Sequence, residues 1–185
     1  MKQSLVAIGC PEERIRIQHI GIDTEKFHFK ERHLPSDGKI VILFCGRFVE
    51  KKGIIYALKA LNLLISKNPQ IEFRVIDDGM LRNSIESFIQ ENNLQPYVRL
   101  LGYQSHHVFA EEFKKAHIYI QPSVTVQNGD NEGGVPTTLL EAQASISWHC
   151  ICTHTTQILL DLSVVIFQML NLSRTGQFPY RYLQN

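Results

Sequence analysis

Two cationic side chains, Arg47 and Lys52, stand in a short segment with glycine at both ends, GRFVEKKG (46–53). The preceding run KIVILFCG (39–46) is apolar and helical spacing follows, so the segment should join a strand to the start of a helix. Two cations beside a helix N-terminus can bind a diphosphate, because the free backbone N–H groups and the helix dipole also attract anions. Gly46 lets the backbone turn tightly at the strand end. The alternative is a solvated turn with surface charges, since neither the Walker loop nor the dinucleotide fingerprint is present.

Two carboxylates, Glu132 and Glu141, flank a second glycine-rich segment, EGGVPTTLLEAQA (132–144). Gly133 and Gly134 bare backbone N–H groups just before a predicted helix, where an anion is favoured. Glu141 lies further along that helix and could accept hydrogen bonds from sugar hydroxyls. Glu132 lies in the loop before that helix, near the position that a group transferred from such a ligand would occupy. The alternative is an exposed loop followed by a helix that carries one surface glutamate.

A third loop, DDGML (77–81), follows another apolar run. Gly79 permits close approach of the backbone, and Asp77 or Asp78 can cap the next helix. The helix cap is the better of these two interpretations.

The loops belong to a repeated alternation of strands and helices. Strands are predicted at 39–46, 71–77, 97–102 and 118–123, and helices follow them from Ile54, at 81–92, at 107–116 and at 136–144. The alternation predicts an α/β domain with a doubly wound, mostly parallel sheet and right-handed crossovers. Ligands of such sheets bind at the carboxyl ends of the strands, where the three loops lie. A short strand-like segment, RIRIQHIGI (14–22), precedes the domain.

Composition excludes several other classes. The chain has 185 residues, 44% of them hydrophobic and 20% charged, which indicates a globular protein. Nineteen basic and eighteen acidic residues give a net charge of +1. This balance argues against a nucleic-acid binder or a polybasic membrane binder.

The cysteine pattern suits a reducing compartment, and we expect a cytoplasmic protein. Cys45 lies in an apolar run and should be a buried small hydrophobe. Cys150 and Cys152 lack a second pair or a suitably spaced histidine pair, so no metal site is expected. No signal peptide is recognisable, and the most apolar stretch (158–170) is too short to span a bilayer.

Three segments carry a family resemblance: GRFVEKKG, PS (122–123) and GDNEGGVPTTLLEAQAS (129–145). In this order they resemble the C-terminal, nucleotide-sugar-binding domain of family-four (group 1) retaining glycosyltransferases. Such enzymes have the GT-B fold, in which two Rossmann-like domains face each other across a cleft. KQSLVAIGCPEERIRIQHIGIDTEKF (2–27) is similar to the segment with which that family leaves its N-terminal domain.

The resemblance implies a role for each charged residue. Arg47 and Lys52 would hold the diphosphate of the donor and stabilise it as the leaving group. Glu141 would bind the ribose hydroxyls, and Glu132 would lie near the donor sugar. The remaining implied contacts lie in the strand-end loops, with the nucleotide base near Tyr103 and close backbone approach at Gly46, Gly79, Gly133, Gly134, Thr138 and Leu139.

The resemblance also implies the partners of the complete enzyme. The donor would be a UDP- or GDP-sugar, without a metal or other cofactor. The acceptor would be a glycan or a lipid-linked glycan, bound by an N-terminal domain that this sequence does not contain. The complete enzyme could associate peripherally with the inner face of a membrane.

The sequence departs from the family in three places. Eight residues separate Glu132 from Glu141 where the family has seven, and Asp77 stands where the family often has glycine. After Ser145 the expected glycine and proline are missing, and the sheet would lack its closing strands. We therefore predict a segment leaving an N-terminal domain (1–38), a donor-binding domain (39–145) and an atypical tail (146–185).

The tail suggests a reading-frame disruption or truncation near Ser145, and a divergent family member is the alternative. We expect little or no transfer activity from this chain alone. Two other functions stay open: a non-catalytic nucleotide-binding or interaction module, and a degenerate fragment.

Overall fold

The computed structural model describes residues 2–18, 20–29, 38–66, 70–132 and 134–145, together with the backbone of 149–152. The α-helices are α1 (Lys2–Ala7), α2 (Ile54–Ile65), α3 (Arg82–Glu91), α4 (His106–Lys115) and α5 (Thr137–Ser145). The strands are β1 (Ile40–Cys45), β2 (Ile71–Ile76), β3 (Val98–Gly102), β4 (Ile118–Gln121) and β5 (His149–Cys152). Two short 3₁₀ turns lie at Glu12–Arg14 and Glu50–Lys52.

The described strands form one sheet in the order β3-β2-β1-β4-β5, and every pairing in it is parallel. The predicted Rossmann-like, doubly wound α/β fold is therefore confirmed. Strands β2 and β3 lie on one side of β1, and β4 and β5, which come later in the sequence, lie on its other side. The order reverses between β1 and β4, which is where doubly wound sheets bind their ligands.

Strand β1 is buried along its whole length and divides the core in two. Successive side chains of a strand point to opposite faces, so Ile42 and Phe44 pack with α2 and α3, while Leu43 and Cys45 pack with α4 and α5. Each fully buried large apolar side chain contributes roughly 1.5–3 kcal/mol to folding. The two cores hold the carboxyl end of β1, and with it the loop that carries Arg47 and Lys52.

The strand expected at 14–22 is wrong for the described residues, which form a 3₁₀ turn and irregular backbone there. None of the described strands pairs with this segment, and Ile17 and Ile20 are exposed. The segment is instead anchored by Phe27, which is buried edge-on against Phe109 and Phe113, with ring centroids 5.8 and 5.9 Å away.

A fifth strand continues the sheet beyond Ser145. The backbone of β5 pairs with β4 in parallel register, from Ile118 opposite His149 to Gln121 opposite Cys152. This strand falls in the segment predicted to be an atypical tail, and the domain boundaries stay a prediction. Within the described residues no helix has the length and apolarity needed to cross a membrane. The apolar stretch 158–170 lies outside those residues.

Candidate functional site

The loop after β1 has the predicted strand–loop–helix form. It runs through Gly46 and Arg47, makes the 3₁₀ turn Glu50–Lys52 and enters α2 at Ile54. Arg47 is exposed, and in the part of the chain that the structure describes its guanidinium has no hydrogen bond or ion pair. The Lys52 side chain is only 15% exposed. One predicted cation is thus open to solvent and the other is held inside the site.

Two glycines let this loop pack closely. A Cβ at Gly46 would lie 3.4 Å from Lys52 Cδ, at the edge of ordinary van der Waals contact, so the lysine stem runs directly beside this backbone. Gly53 has φ +71°, and a Cβ there would lie 1.7 Å from the carbonyl oxygen of Pro122. The start of α2 therefore touches the backbone that leaves β4. The neighbouring Val124 N–H donates to the Lys51 carbonyl oxygen (2.9 Å) and fixes the two loops together.

The structure brings Lys52 and Glu132 into direct contact. Lys52 Nζ lies 2.7 Å from Glu132 Oε2, and Ser123 Oγ donates to Glu132 Oε1 (3.1 Å). The Glu132 side chain is 9% exposed. A second pair supports the same loop, because Lys51 Nζ lies 2.9 Å from Asp130 Oδ1.

A buried chain of polar side chains continues from Ser123 to α5. Gln121 Nε2 donates to Ser123 Oγ (3.0 Å), and Gln121 Oε1 accepts from the Tyr119 hydroxyl (2.6 Å). Thr138 Oγ1 lies 2.8 Å from the Tyr119 oxygen and 3.4 Å from Gln121 Oε1. Sequence reasoning missed Tyr119, Gln121 and Ser123 as a group. The available signal was a pair of polar side chains two residues apart in an otherwise apolar strand.

Glu141 lies on α5, with its side chain 13% exposed. Burial raises the pKa of its carboxyl, and the nearby His106 ring opposes that shift. His106 Nε2 is 3.9 Å from Glu141 Oε1. Among the described residues Glu141 has no other hydrogen-bond or ion-pair partner, so its oxygens are available to hydroxyl donors of a ligand.

Cys45 is the last residue of β1 and is buried, as predicted. Burial raises the pKa of its thiol, and the charges of Asp77 and Glu141 add to the shift. The thiolate, which is the reactive and metal-binding form of cysteine, is therefore disfavoured here.

The loop after β2 packs on the first loop. Gly79 has φ +156°, and a Cβ there would lie 2.9 Å from both the nitrogen and the oxygen of Phe48. The expected helix cap is wrong: α3 has no side-chain cap. The carboxylates of Asp77 and Asp78 each accept from the next backbone N–H instead, at 2.8 Å. Gly79 thus serves loop packing.

The remaining predicted positions lie around the same edge. Tyr103 follows β3 and is 82% exposed, and Gly134 is exposed with open space around it. Leu139 is buried, and its N–H donates to the Pro136 carbonyl oxygen at 3.0 Å. Gly133 lies outside the described residues.

The site can therefore offer an exposed cation (Arg47), an ion-paired cation (Lys52) and a carboxylate whose partner among the described residues is the His106 ring at 3.9 Å (Glu141) to a polar ligand. Within the described ranges, no group of three or more His, Cys, Asp or Glu residues could hold a metal ion. Metal-independent chemistry stays a prediction.

Comparison with known proteins decides the family. Residues 25–158 match the family model described as glycosyl transferases group 1, which covers more than half of the chain. The chain belongs to this family. The match includes the loops of Lys52, Glu132 and Glu141 and extends past Ser145.

Several curated relatives are glycosyltransferases of polysaccharide biosynthesis. The amylovoran biosynthesis glycosyltransferase AmsK of Erwinia amylovora is 34% identical over 146 residues, which cover 77% of this chain and 35% of AmsK. The putative colanic acid biosynthesis glycosyltransferase WcaL of Escherichia coli is 29% identical over 140 residues, covering 76% of this chain and 34% of WcaL. The chain thus spans about a third of the length of these relatives.

Solved structures share the fold. The C-terminal domain of a group 1 glycosyl transferase family protein (LpcC) from Francisella tularensis aligns with a TM-score of 0.61 and 18% identity, over 84% of this chain and 94% of that domain. Anabaena Alr3699/HepE in complex with UDP-glucose aligns with a TM-score of 0.65 and 14% identity, over 94% of this chain and 52% of that one. These likenesses place the described sheet in the GT-B fold.

Proposed function

We propose that this chain is the donor-binding part of a retaining glycosyltransferase that uses a nucleotide-diphosphate sugar. The observation that carries the proposal is the contact of Lys52 with Glu132 at the point where the sheet order reverses, in the loop that also carries the exposed Arg47. Glu141 lies on α5, the helix that follows β4, and its oxygens are available to hydroxyl donors of a ligand. This combination suits a ligand that has a diphosphate in the middle and hydroxyl-bearing rings at both ends.

The proposed chemistry follows from where charge develops. Breaking the bond between the sugar and the diphosphate leaves negative charge on the leaving phosphate oxygen. Arg47 and Lys52 would offset that charge in a partly buried site, where an ionic contact is stronger than in water. Glu141 would fix the nucleoside through its ribose hydroxyls, and Glu132 would face the donor sugar. No metal is needed in this scheme, because the two cations supply the positive charge.

The acceptor is proposed to be a growing glycan or a lipid-linked glycan, bound by a further domain. The names of AmsK and WcaL, which refer to amylovoran and colanic acid, support a polysaccharide acceptor. A cytoplasmic position at the inner face of a membrane stays a prediction. A non-catalytic nucleotide-binding module would share the donor site, and its test is the fate of the sugar: a transferase releases the nucleotide diphosphate when donor and acceptor are both supplied.

Calorimetry with UDP, GDP and their glucose esters tests the donor site in this chain. We expect binding in the micromolar to millimolar range that weakens about tenfold or more in Arg47→Ala and Lys52→Ala, the size of one lost charged contact. Lys59→Ala removes the same charge from the exposed side of α2, where its Nζ lies over the Tyr56 ring, 5.8 Å from the centroid. It should bind like the wild type. Absence of binding by every nucleotide would contradict the proposed function.

A further inference from the structure

The polar chain behind Glu132 lies entirely within the protein. Tyr119, Gln121 and Ser123 each have 0% of their surface exposed. Burying an amide or a hydroxyl costs free energy unless its hydrogen bonds are made. All three do make them, over distances of 2.6–3.1 Å that end at the Glu132 carboxylate. An apolar side chain at Gln121 would fill a buried strand position without any such requirement.

The number of available hydrogens sets the direction of the hydrogen bonds that link Gln121, Ser123 and Glu132. An ionised carboxylate only accepts, so the hydrogen between Ser123 and Glu132 must come from the Ser123 hydroxyl. Ser123 can then only accept from Gln121, which fixes the amide with Nε2 towards Ser123. The amide oxygen therefore faces the hydroxyls of Tyr119 and Thr138, which both lie within hydrogen-bond distance of it. The donors of Gln121 and Ser123 therefore both point towards Glu132.

We propose that Gln121 is a positioning residue for Glu132 in the donor site. Its amide oxygen accepts hydrogen bonds from the hydroxyls of Tyr119 and Thr138. Its amide nitrogen donates to Ser123 Oγ, so the Ser123 hydroxyl hydrogen is directed to Glu132. Because Thr138 lies in the first turn of α5, Gln121 also joins the loop of Glu132 to the helix of Glu141. The two proposed ends of the donor site are thereby held at a fixed spacing.

This inference rests on the proposed function, in which Glu132 faces the donor sugar and the two cations face the diphosphate. It predicts that disturbing Gln121 affects the sugar end and spares the nucleotide end. The informative quantity is the ratio of the dissociation constant of UDP to that of UDP-glucose, or the same ratio for the guanosine pair if the wild type prefers it.

Calorimetry on Gln121→Leu and Gln121→Glu tests the role. In Gln121→Leu we expect the affinity for the plain nucleoside diphosphate to stay within about twofold of the wild type. The ratio should fall about tenfold, which is typical of losing one hydrogen-bonded charged contact. A merely structural role would weaken nucleotide and sugar nucleotide together and leave the ratio unchanged, and that result would overturn the inference.

Gln121→Glu adds a pH readout. When the introduced carboxyl is ionised it cannot donate to Ser123, and the single Ser123 hydrogen is then contested by two carboxylates. When it is protonated it donates again and the chain is restored. Because burial raises the pKa of a carboxyl, we expect the ratio to be low near about pH 8.5 and to recover towards about pH 6. Gln121→Leu is the control, since it has no group that titrates there.

The outcomes separate the two proposals. A wild type that binds no nucleotide would overturn the donor site and this role together. Wild-type binding with a ratio that neither variant changes, or with no recovery of Gln121→Glu on acidification, would overturn the role of Gln121 alone. Thermal unfolding of both variants is measured alongside, and retained binding of the plain nucleotide shows that the site is folded.

Discussion

Lys52 and Glu132 form an ion pair of 2.7 Å between Nζ and Oε2 at the point where the strand order of the sheet reverses. The carboxylate proposed for the donor sugar therefore offsets the charge of a cation proposed for the diphosphate. A bound diphosphate shares Lys52 with Glu132, and its attraction to the lysine is reduced accordingly. Pairs of this kind, with both side chains largely out of water, interact more strongly than surface pairs.

We predict that Glu132→Gln strengthens the binding of UDP or GDP. The amide keeps the size of the side chain and removes the competing charge, so affinity should rise about three- to tenfold, or roughly 1 kcal/mol. Calorimetry with the plain nucleotide measures it. Asp130→Asn is the matched control, because it neutralises the partner of the adjacent Lys51 at 2.9 Å. An equal gain in both variants, or a loss in Glu132→Gln, would contradict the competition.

The Lys52–Glu132 pair shows where sequence reasoning reaches its limit. The run KIVILFCG predicted β1 because a continuous apolar segment that ends in glycine suits a strand buried on both faces, and each charged residue could be assigned to its loop. The contact between residues 80 positions apart depends on the register of β1 against β4, which no local pattern contains. Gln121 was missed for the same reason, since its hydrogen-bond partners lie across the fold.

The segment 14–22 shows the opposite failure. Its isoleucines are spaced two residues apart within the pairs Ile15/Ile17 and Ile20/Ile22, as in a strand, but a strand also needs a neighbour to pair with. Ile17 and Ile20 are exposed and no described strand lies beside them. Phe27, which follows in a polar stretch, is the residue that anchors the segment in the core.

Substitution at Gly53 should separate steric contact from backbone strain. Gly53→Ala would bring a Cβ to 1.7 Å from the Pro122 carbonyl oxygen at φ +71°, so the two loops of the site must move apart. We expect a loss of about 3 kcal/mol or more in the free energy of unfolding, measured by urea denaturation. Gly102→Ala is the control, because Gly102 has nearly the same φ (+69°) and nothing within 4 Å of a Cβ. It should lose only about 1 kcal/mol. Equal losses would show that the close approach to Pro122 is unimportant.

Replacement of Asp77 by glycine should stabilise the protein. Asp77 has φ +106°, outside the regions that non-glycine residues adopt comfortably. Its carboxylate recovers part of that cost by accepting from the Asp78 N–H at 2.8 Å. Removing strain of about 1–3 kcal/mol at the expense of one exposed hydrogen bond should give a net gain of about 1 kcal/mol in unfolding free energy. Thermal or urea unfolding measures the gain.

Asn93→Gly is the comparison for that variant. Asn93 also has a positive φ, but at +55° it lies in the left-handed region that asparagine tolerates. We expect a change below about 0.5 kcal/mol there, because little strain is relieved. A loss of stability in Asp77→Gly would mean that the carboxylate contributes more than its backbone conformation costs.

The carboxyl of Glu141 should make stability depend on pH in a predictable direction. Burial raises its pKa in the folded protein above the ordinary value of 4.5, so the folded state binds the proton more tightly than the unfolded state. The stabilisation by the neutral form is complete below the ordinary value and is lost as the pH rises through the folded pKa. Glu141→Gln removes this loss. The melting temperature of the variant should therefore exceed that of the wild type at about pH 7.5, and the difference should shrink towards about pH 4.5.

Glu111→Gln on α4 should behave oppositely, because the hydrogen bond from Lys114 lowers the pKa of the Glu111 carboxyl. Thermal unfolding at several pH values measures both variants. If Glu141→Gln were the less stable protein at pH 7.5, the buried charge would be held by contacts stronger than the cost of its burial, and its oxygens would not be available to a ribose.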